Sequence, residues 1–283
     1  KSVEDEKSFF LHFSHYAVHA RFSADPRFVA NYENSGRPEK EIAFATMIEG
    51  MDKSLGDVLD ILKELEIAED TLILFLGDNG SDAPMGGTYS VSSSAPLRAK
   101  KGTQYEGGTR VPFIASWAQP NKENPFQTSL QIRSGVVQSQ LATIMDIYPT
   151  LLELGGVRAP KEHIVDGRSL KHLFLGKKDE AHPSTFLMHF PHEHRNDYFT
   201  SYRNDEWKVI YHYGLSRHGQ KKGFKAVQYE LYHLKTDPYE QNNVARENPE
   251  RLDDMMKAMV KQLETEGALY PMKDGIELKP ELR

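Results

Sequence analysis

The feature that most constrains the fold is an apolar run at residues 71–76 (TLILFL) that stops abruptly at residues 77–80 (GDNG). A short, uninterrupted β-prone run of this kind predicts a strand that is covered by helices on both faces. Apolar residues recur every three or four positions over residues 41–65, which predicts an amphipathic helix just before that strand. Residues 8–14 and 111–116 are also β-prone and predict further strands. Strand, helix and strand in this order predict an α/β sheet.

The second half of the chain has a different texture. Residues 139–154 have helical spacing, and Pro149 is predicted to kink or split that helix. An amphipathic helix at residues 249–266 is predicted to cover an antiparallel sheet. We therefore predict two domains, residues 1–180 and residues 181–283. The short β-prone runs that predict the sheet lie at residues 185–190, 198–202, 207–213 and 228–234.

Composition excludes several classes of protein. The chain has 283 residues, of which 39% are hydrophobic and 27% charged, as in an ordinary globular protein. It has no cysteine, and therefore no disulfide framework, thiolate zinc site or thiol nucleophile. Its 35 Lys and Arg against 41 Asp and Glu give a net charge of −6, which argues against broad nucleic-acid binding. The apolar runs are too short for a membrane span, which needs about 20 residues.

The pair Asp78-Asn79 follows the central predicted strand, where open α/β sheets bind their ligands. A carboxylate and an amide carbonyl are hard oxygen donors that suit Ca²⁺ or Mg²⁺ better than zinc. The same residues are also ordinary turn formers, because Asp, Asn and Gly all tolerate left-handed backbone conformations. The sequence alone leaves the metal-ligand and turn interpretations open.

Histidines and lysines provide further candidates. His12, His15 and His19 lie close together, and one of them is suited to proton donation because imidazole titrates near neutral pH. Lys100 and Lys101 stand in a glycine-punctuated segment where the backbone is able to approach a ligand closely. A lysine there would bind an anion as a point charge. Each histidine also has an ordinary interpretation as a loop or core residue, and the two lysines have one as solvated surface residues.

Two further groups are candidates for binding. His189, His192 and His194 would either line a pocket or stand as polar residues between strands. The basic stretch at residues 217–225 is either a solvated loop or a polyanion-binding site.

Taken together and in order, three of these motifs resemble the type I sulfatases of the alkaline-phosphatase-like superfamily. The resemblance continues through four shorter motifs and covers nearly the whole chain. The three motifs are residues 9–19 (FFLHFSHYAVH), 76–80 (LGDNG) and 97–112 (LRAKKGTQYEGGTRVP), and the shorter ones are residues 146–150, 166–170, 230–232 and 237–243.

The resemblance implies a fold and a set of roles. It implies part of an alkaline-phosphatase-like mixed sheet flanked by helices, followed by a smaller α+β subdomain with an antiparallel sheet and a C-terminal helix. Asp78 and Asn79 would be ligands of a calcium ion. Lys101 would bind the sulfate group, and His19 would protonate the leaving alcohol. His192 is a further candidate for substrate binding.

The sequence departs from the family pattern in two respects. The family usually has proline shortly after the active-site histidine, whereas this chain reads His19-Ala20-Arg21. The family's acidic metal-ligand pair and its Cys-x-Pro-x-Arg or Ser-x-Pro-x-Arg motif, which carries the formylglycine nucleophile, belong to an amino-terminal half, and we expect both to be absent from this chain. We therefore expect this chain to be the carboxy-terminal half of a sulfatase, inactive without the missing N-terminal half.

The expected activity of the intact protein is hydrolysis of the sulfate ester of a small molecule or, more specifically, a carbohydrate, in a periplasmic or secreted location. One alternative is a phosphodiesterase or phosphonate hydrolase of the same superfamily. Asn79 argues against this alternative, since the two-metal phosphatases tend to have Asp-His at that place. The other alternative is a non-catalytic protein that binds sulfated glycans.

Overall fold

The computed structural model describes residues 1–83, 94–192, 198–214 and 228–282. The described chain divides into two compact units. Compactness does not define where one domain ends, so the predicted boundary at residue 180 stays a prediction. The first unit comprises residues 1–77, 82–83 and 112–135, and the second comprises residues 78–81, 94–111, 136–192, 198–214 and 228–282.

The first unit is built on one long helix and one pair of strands. Helix α1 spans Glu39–Glu64, two residues earlier than predicted at its start, and a 3-10 turn at Ala68–Asp70 follows it. Strand β1 (Leu72–Leu76) pairs antiparallel with β2 (Phe113–Trp117), with Leu74 opposite Ala115. Two shorter helical segments complete the unit, a 3-10 turn at Val29–Tyr32 and a helix at Pro125–Ser129.

Two predictions for this unit are wrong. Residues 8–14 do not form a strand, and their apolar side chains are exposed, Phe10 by 70% and Leu11 by 62%. A strand needs a neighbour to bond its N–H and C=O groups, and among the described residues this segment pairs with none. The side chains of β1 are half-buried rather than covered on both faces, and β2 is its one hydrogen-bonded neighbour within the described part of the chain.

In the second unit the helix predicted at residues 139–154 is shorter than expected. A 3-10 turn at Ile144–Asp146 leads into helix α2 (Ile147–Leu154). Pro149 lies in the first turn of α2, where a helix does not need its N–H, so it neither kinks nor splits the helix. Another short helix spans Lys171–Phe174.

The motifs at residues 146–150 and 166–170 hold each other in place. The buried Asp146 carboxylate accepts the backbone N–H of Arg168 at 2.8 Å, and the Thr150 hydroxyl accepts the N–H of Leu170 at 2.8 Å. These bonds satisfy buried polar groups, so the letters of both motifs have a structural explanation in this chain.

The antiparallel sheet is confirmed. Its strands follow the order β3-β4-β5-β6, each hydrogen-bonded to the next along the chain. A two-residue pair, β7 (Met272–Lys273) and β8 (Ile276–Glu277), forms a hairpin near the end of the chain. Within the described ranges, none of the helices combines the length and apolar character that a membrane crossing needs. The four strands are β3 (Thr185–Phe190), β4 (Phe199–Asn204), β5 (Trp207–His212) and β6 (Tyr229–His233).

Helix α3 (Pro249–Thr265) covers this sheet, as predicted. Its apolar side chains pack against Val209 of β5 and Leu231 of β6, both of which are fully buried. This contact forms the main hydrophobic core of the second unit. The helix contributes Leu252, Met255, Met256, Met259 and Leu263, none of them more than 1% exposed.

Leu252→Ala is expected to lower the free energy of unfolding by about 2–5 kcal/mol, because it removes a fully buried side chain and leaves a cavity in the core. Urea unfolding followed by circular dichroism measures the change. Leu269→Ala is the matched control, since Leu269 is 79% exposed and its loss is expected to change stability by less than about 0.5 kcal/mol. Equal effects of the two substitutions would contradict the assignment of this core.

Candidate functional site

The predicted metal-ligand pair lies just beyond β1. Gly77 still donates its N–H to the Pro112 carbonyl at 3.2 Å, after which the chain leaves the sheet. The Asp78 side chain is exposed and that of Asn79 is half-buried. The Asn79 amide group donates a hydrogen bond to the Asp78 carboxylate, so the two side chains lie side by side.

Backbone hydrogen bonds join residues 78–81 to the lysine-bearing motif at residues 97–112. Gly80 donates its N–H to the Gly108 carbonyl at 2.9 Å, and Lys101 donates its N–H to the Ser81 carbonyl at 3.0 Å. The structure therefore brings the backbone of Lys101 next to the residues that follow Asp78-Asn79. These residues belong to one compact unit.

Three glycines make this junction possible. A Cβ atom on Gly80 would lie 2.0 Å from the Gly107 carbonyl oxygen, and one on Gly107 would lie 2.4 Å from the Arg98 carbonyl oxygen. A Cβ atom on Gly108 would lie 2.4 Å from the Thr103 carbonyl oxygen. The sequence predicts close approach of the backbone to a ligand here, and the structure shows close approach of the backbone to itself.

His19 lies in the first unit, on an exposed stretch of chain. Its Nδ1 atom is 2.6 Å from the Ala20 carbonyl oxygen, and its ring centroid is 5.3 Å from that of Tyr16. Because a carbonyl oxygen only accepts, this contact assigns the hydrogen of a neutral ring to Nδ1 and leaves Nε2 as the acceptor. The role predicted for His19 stays a prediction.

His192 follows β3 and is exposed. Its ring lies 4.2 Å from that of Phe190, at an interplanar angle of 33°. His194 and the basic stretch at residues 217–225 lie outside the described residues. The substrate-binding role predicted for His192 is untested.

The donors at residues 78–79 fit a hard cation in kind but not in number. Calcium takes about six to eight oxygen ligands, and this pair supplies at most a few of them. Among the described residues, no group of three or more His, Asp or Glu side chains is placed to hold a metal. Any cation bound at Asp78 and Asn79 would need further ligands from elsewhere.

A buried cluster that sequence reasoning missed surrounds Glu230 on β6. Glu230 accepts hydrogen bonds from the Tyr105 hydroxyl at 2.8 Å, from His212 Nε2 at 2.8 Å and from the Tyr232 hydroxyl. Arg98 lies 3.8 Å above the Tyr105 ring and donates to the Tyr232 hydroxyl at 2.6 Å. The letters of Arg98, Tyr105, Glu230 and Tyr232 lie inside the quoted motifs, which was the available signal, but nothing in the sequence says that they meet.

Burial raises the pKa of the Glu230 carboxyl, but the hydrogen bonds from His212 and Tyr232 and the charge of Arg98 more than offset this effect. Together they hold the pKa of Glu230 at about 2. The carboxylate is therefore ionised in the folded protein at all but strongly acidic pH. It anchors Arg98 and Tyr105, which lie on either side of Lys101 in the sequence.

Comparisons with known proteins explain why these motifs occur together. The family model described as Sulfatase matches residues 2–157, more than half of the chain. The chain belongs to the sulfatase family. A second family model, described as N-sulphoglucosamine sulphohydrolase, C-terminal, matches residues 100–268.

Relatives of this sulfatase chain come from bacteria and mammals. It is 28% identical to a sulfatase of Formosa agariphila over 86% of this chain and 43% of that protein. It is 30% identical to the steryl-sulfatase of Mus musculus over 72% of this chain and 30% of that protein. The sulfatase chain thus spans less than half the length of these two relatives.

Solved structures confirm the predicted fold class. The crystal structure of Ps i-CgsB in complex with k-i-k-neocarrahexaose matches with a TM-score of 0.72 and 23% sequence identity. The match covers 92% of this chain and 51% of that one. The sulfatase chain therefore has the alkaline-phosphatase-like fold, as a mixed α/β structure with antiparallel sheets and a C-terminal helix.

One segment of the sulfatase chain corrects the expectation that the Ser-x-Pro-x-Arg pattern is absent. Residues 94–98 (SAPLR) satisfy the letters Ser-x-Pro-x-Arg, so the pattern by itself is not missing. In the structure Leu97 donates its N–H to the Ser94 carbonyl at 3.0 Å, which makes a turn, and Arg98 is held by Tyr105 and Tyr232. These contacts favour a structural role for the segment, and the formylglycine position is still expected elsewhere.

Gly107→Ala is expected to destabilise the protein by about 2 kcal/mol or more, because the new methyl group would meet backbone atoms that cannot move independently. Gly56→Ala is the matched control. Gly56 lies inside α1, and a Cβ atom there would meet nothing within 4 Å, so alanine is expected to stabilise by about 0.5–1 kcal/mol. Chemical denaturation of both variants checks the two signs, and a stable Gly107→Ala protein would contradict the described junction.

The low pKa of Glu230 predicts a loss of stability in acid. The folded-state pKa lies below that of the unfolded chain, so the contribution of Glu230 is complete above about pH 4.5 and is lost as the pH falls toward about 2. Unfolding free energies measured across this range are expected to fall less steeply for Glu230→Gln than for the unsubstituted protein. Parallel curves for the two proteins would contradict the assignment.

Proposed function

We propose that the protein to which this chain belongs hydrolyses sulfate esters and that its substrate is a sulfated carbohydrate. Membership of the sulfatase family supports the reaction. The observation that carries the proposal is the junction in which the Lys101 N–H donates to the Ser81 carbonyl and the Gly80 N–H donates to the Gly108 carbonyl, because it brings the backbone of Lys101 next to the residues that follow the Asp78-Asn79 pair. An anion with a polarisable ester bond suits such a site.

The proposed roles follow from the chemistry of each side chain. Asp78 and Asn79 would hold a calcium ion together with ligands from the rest of the protein. When bound, the ion would polarise the sulfate group and favour an ionised nucleophile. Lys101 would bind the sulfate oxygens and stabilise the negative charge that develops on them. With Nδ1–H bonded to the Ala20 carbonyl, His19 would carry a second proton at Nε2 as the imidazolium and pass that proton to the leaving alcohol.

The remaining parts of the proposal concern the rest of the molecule. A formylglycine nucleophile and the other metal ligands would come from an N-terminal half, and the chain alone would be inactive. The solved relative bound to k-i-k-neocarrahexaose supports a carbohydrate substrate. The neighbouring rings of His192 and Phe190, tilted by 33° to each other, offer aromatic surface of the kind that sugars contact. A periplasmic or secreted location would suit a polymeric substrate.

Lys101→Ala, His19→Ala and Asp78→Ala in the whole protein are each expected to reduce turnover of an aryl sulfate by about 100-fold or more, the scale of lost acid–base or electrostatic catalysis. The assay follows release of the phenol, with an aryl phosphate run in parallel. Faster turnover of the phosphate than of the sulfate would contradict the proposed reaction.

Two matched controls isolate position from charge. Lys161→Ala removes an exposed lysine of the same unit as Lys101, and His12→Ala removes an exposed histidine of the same unit as His19. Both are expected to retain turnover within about twofold, as surface substitutions usually do. If Lys161→Ala and Lys101→Ala lose equal activity, the role proposed for Lys101 is wrong.

A further inference from the structure

A buried ionic cluster contacts the segment that carries Lys101, residues 98–106, which we call the Lys101 segment. Lys208 of β5 places its Nζ atom 3.1 Å from Glu106 Oε1 and 2.9 Å from Glu240 Oε1. The side chains of Lys208, Glu106 and Glu240 are 4%, 5% and 0% exposed. Arg203 of β4 adds a second cation, 3.3 Å from Glu106 Oε2. Charged side chains are almost never buried this deeply unless they are paired, so the cluster fixes their positions.

Glu240 contacts both ends of the Lys101 segment. Its carboxylate accepts the backbone N–H of Glu106 at 2.6 Å. Its backbone carbonyl accepts a hydrogen bond from Arg98 Nη1 at 3.0 Å. Lys101 lies between Arg98 and Glu106, and Gly107 closes the segment by donating its N–H to the Arg98 carbonyl at 2.8 Å. One residue, 134 positions beyond Glu106, therefore holds the two ends of this loop together.

The turn that carries Glu240 is itself held in place. Glu240 has a φ of 53°, in the left-handed region that non-glycine residues rarely adopt. The Asp237 carboxylate accepts the N–H groups of Gln241 at 3.0 Å and Asn242 at 2.8 Å, on the far side of Glu240. The turn thus presents the Glu240 carboxylate to the Lys101 segment from a fixed backbone.

We infer that Glu240, paired with Lys208, is a positioning residue that sets where Lys101 presents its ammonium group. This inference rests on the proposed function, because Lys101 is the residue through which Glu240 would act. A displacement of the order of 1 Å in a catalytic group is enough to cost about 100-fold in rate, which makes such a support consequential.

The first test is a double-mutant cycle in the whole protein with an aryl sulfate as substrate. Glu240→Gln keeps an acceptor for the Glu106 N–H but loses the charge that pairs with Lys208, and it is expected to lower kcat/KM by about 10- to 100-fold. In a Lys101→Ala background the same change is expected to have less than about a twofold effect, because the residue that it positions is gone. Equal effects of Glu240→Gln in both backgrounds would overturn the inference.

The second test needs no activity. Hydrogen exchange of the whole protein is expected to be at least about tenfold faster at the amides of Lys101 and Gly107 in Glu240→Gln, and unchanged in helix α2 of the same unit. Unchanged exchange at Lys101 and Gly107 would overturn the inference about Glu240 and leave the proposed function standing. Wild-type turnover by Lys101→Ala would instead overturn the role of Lys101 in the proposed function, and with it the catalytic part of the inference.

Glu247→Gln is the matched control, since Glu247 is exposed and lies seven positions further along the chain. It is expected to leave both kcat/KM and exchange unchanged. If Glu240→Gln fails to unfold cooperatively, Lys208→Met replaces it, because methionine keeps the length of the side chain while removing both ion pairs. The same results are expected of that variant, and the same outcomes would overturn the inference.

Discussion

Backbone packed directly on backbone is the constraint on which the candidate site depends. At Gly80, Gly107 and Gly108 the chain approaches itself so closely that a Cβ atom would lie within 2.4 Å of a carbonyl oxygen. The Gly80 contact brings residues 78–81 against Gly107 and Gly108 without an intervening side chain, whereas the contacts of Gly107 and Gly108 lie within residues 98–108. Side-chain packing alone would hold the two segments several ångströms further apart, and the hydrogen bond from the Lys101 N–H to the Ser81 carbonyl would not form.

The glycine junction needs support from the rest of the second unit, because residues 98–105 have no regular secondary structure and Glu106–Thr109 form a single helical turn. Two buried clusters supply it. Glu230 holds the Tyr105 hydroxyl, and Lys208 and Glu240 hold Glu106, so that both connect the loop to β5, β6 and the turn beyond β6. Helix α3 covers these strands. The hydrophobic core therefore fixes the sheet, and the buried charges carry that order to the loop.

The sequence predicts what is local and misses what is distant. The apolar face of α3 and the strands β3–β6 could be predicted because the spacing of apolar residues within a short stretch of sequence indicates both the type of element and the face that is buried. The strand predicted at residues 8–14 was wrong because a strand needs a neighbouring strand to bond its backbone, and the local sequence does not record whether one is present. The cluster of Glu106, Lys208 and Glu240 was missed because charged residues are expected at the surface, whereas these three are buried and paired.

The buried cluster raises the question of why this chain keeps charges where apolar residues would pack. A buried ion pair is weak grounds for stability, because desolvation cancels much of the attraction and apolar replacements are often neutral or better. Apolar contacts, however, are not directional. Hydrogen bonds, by contrast, are directional: the Glu240 carboxylate accepts the Glu106 N–H beside its ion pair with Lys208, and the Glu240 carbonyl accepts from Arg98. Orientation of the segment between those donors is thus the property that the charges supply and that an apolar core could not.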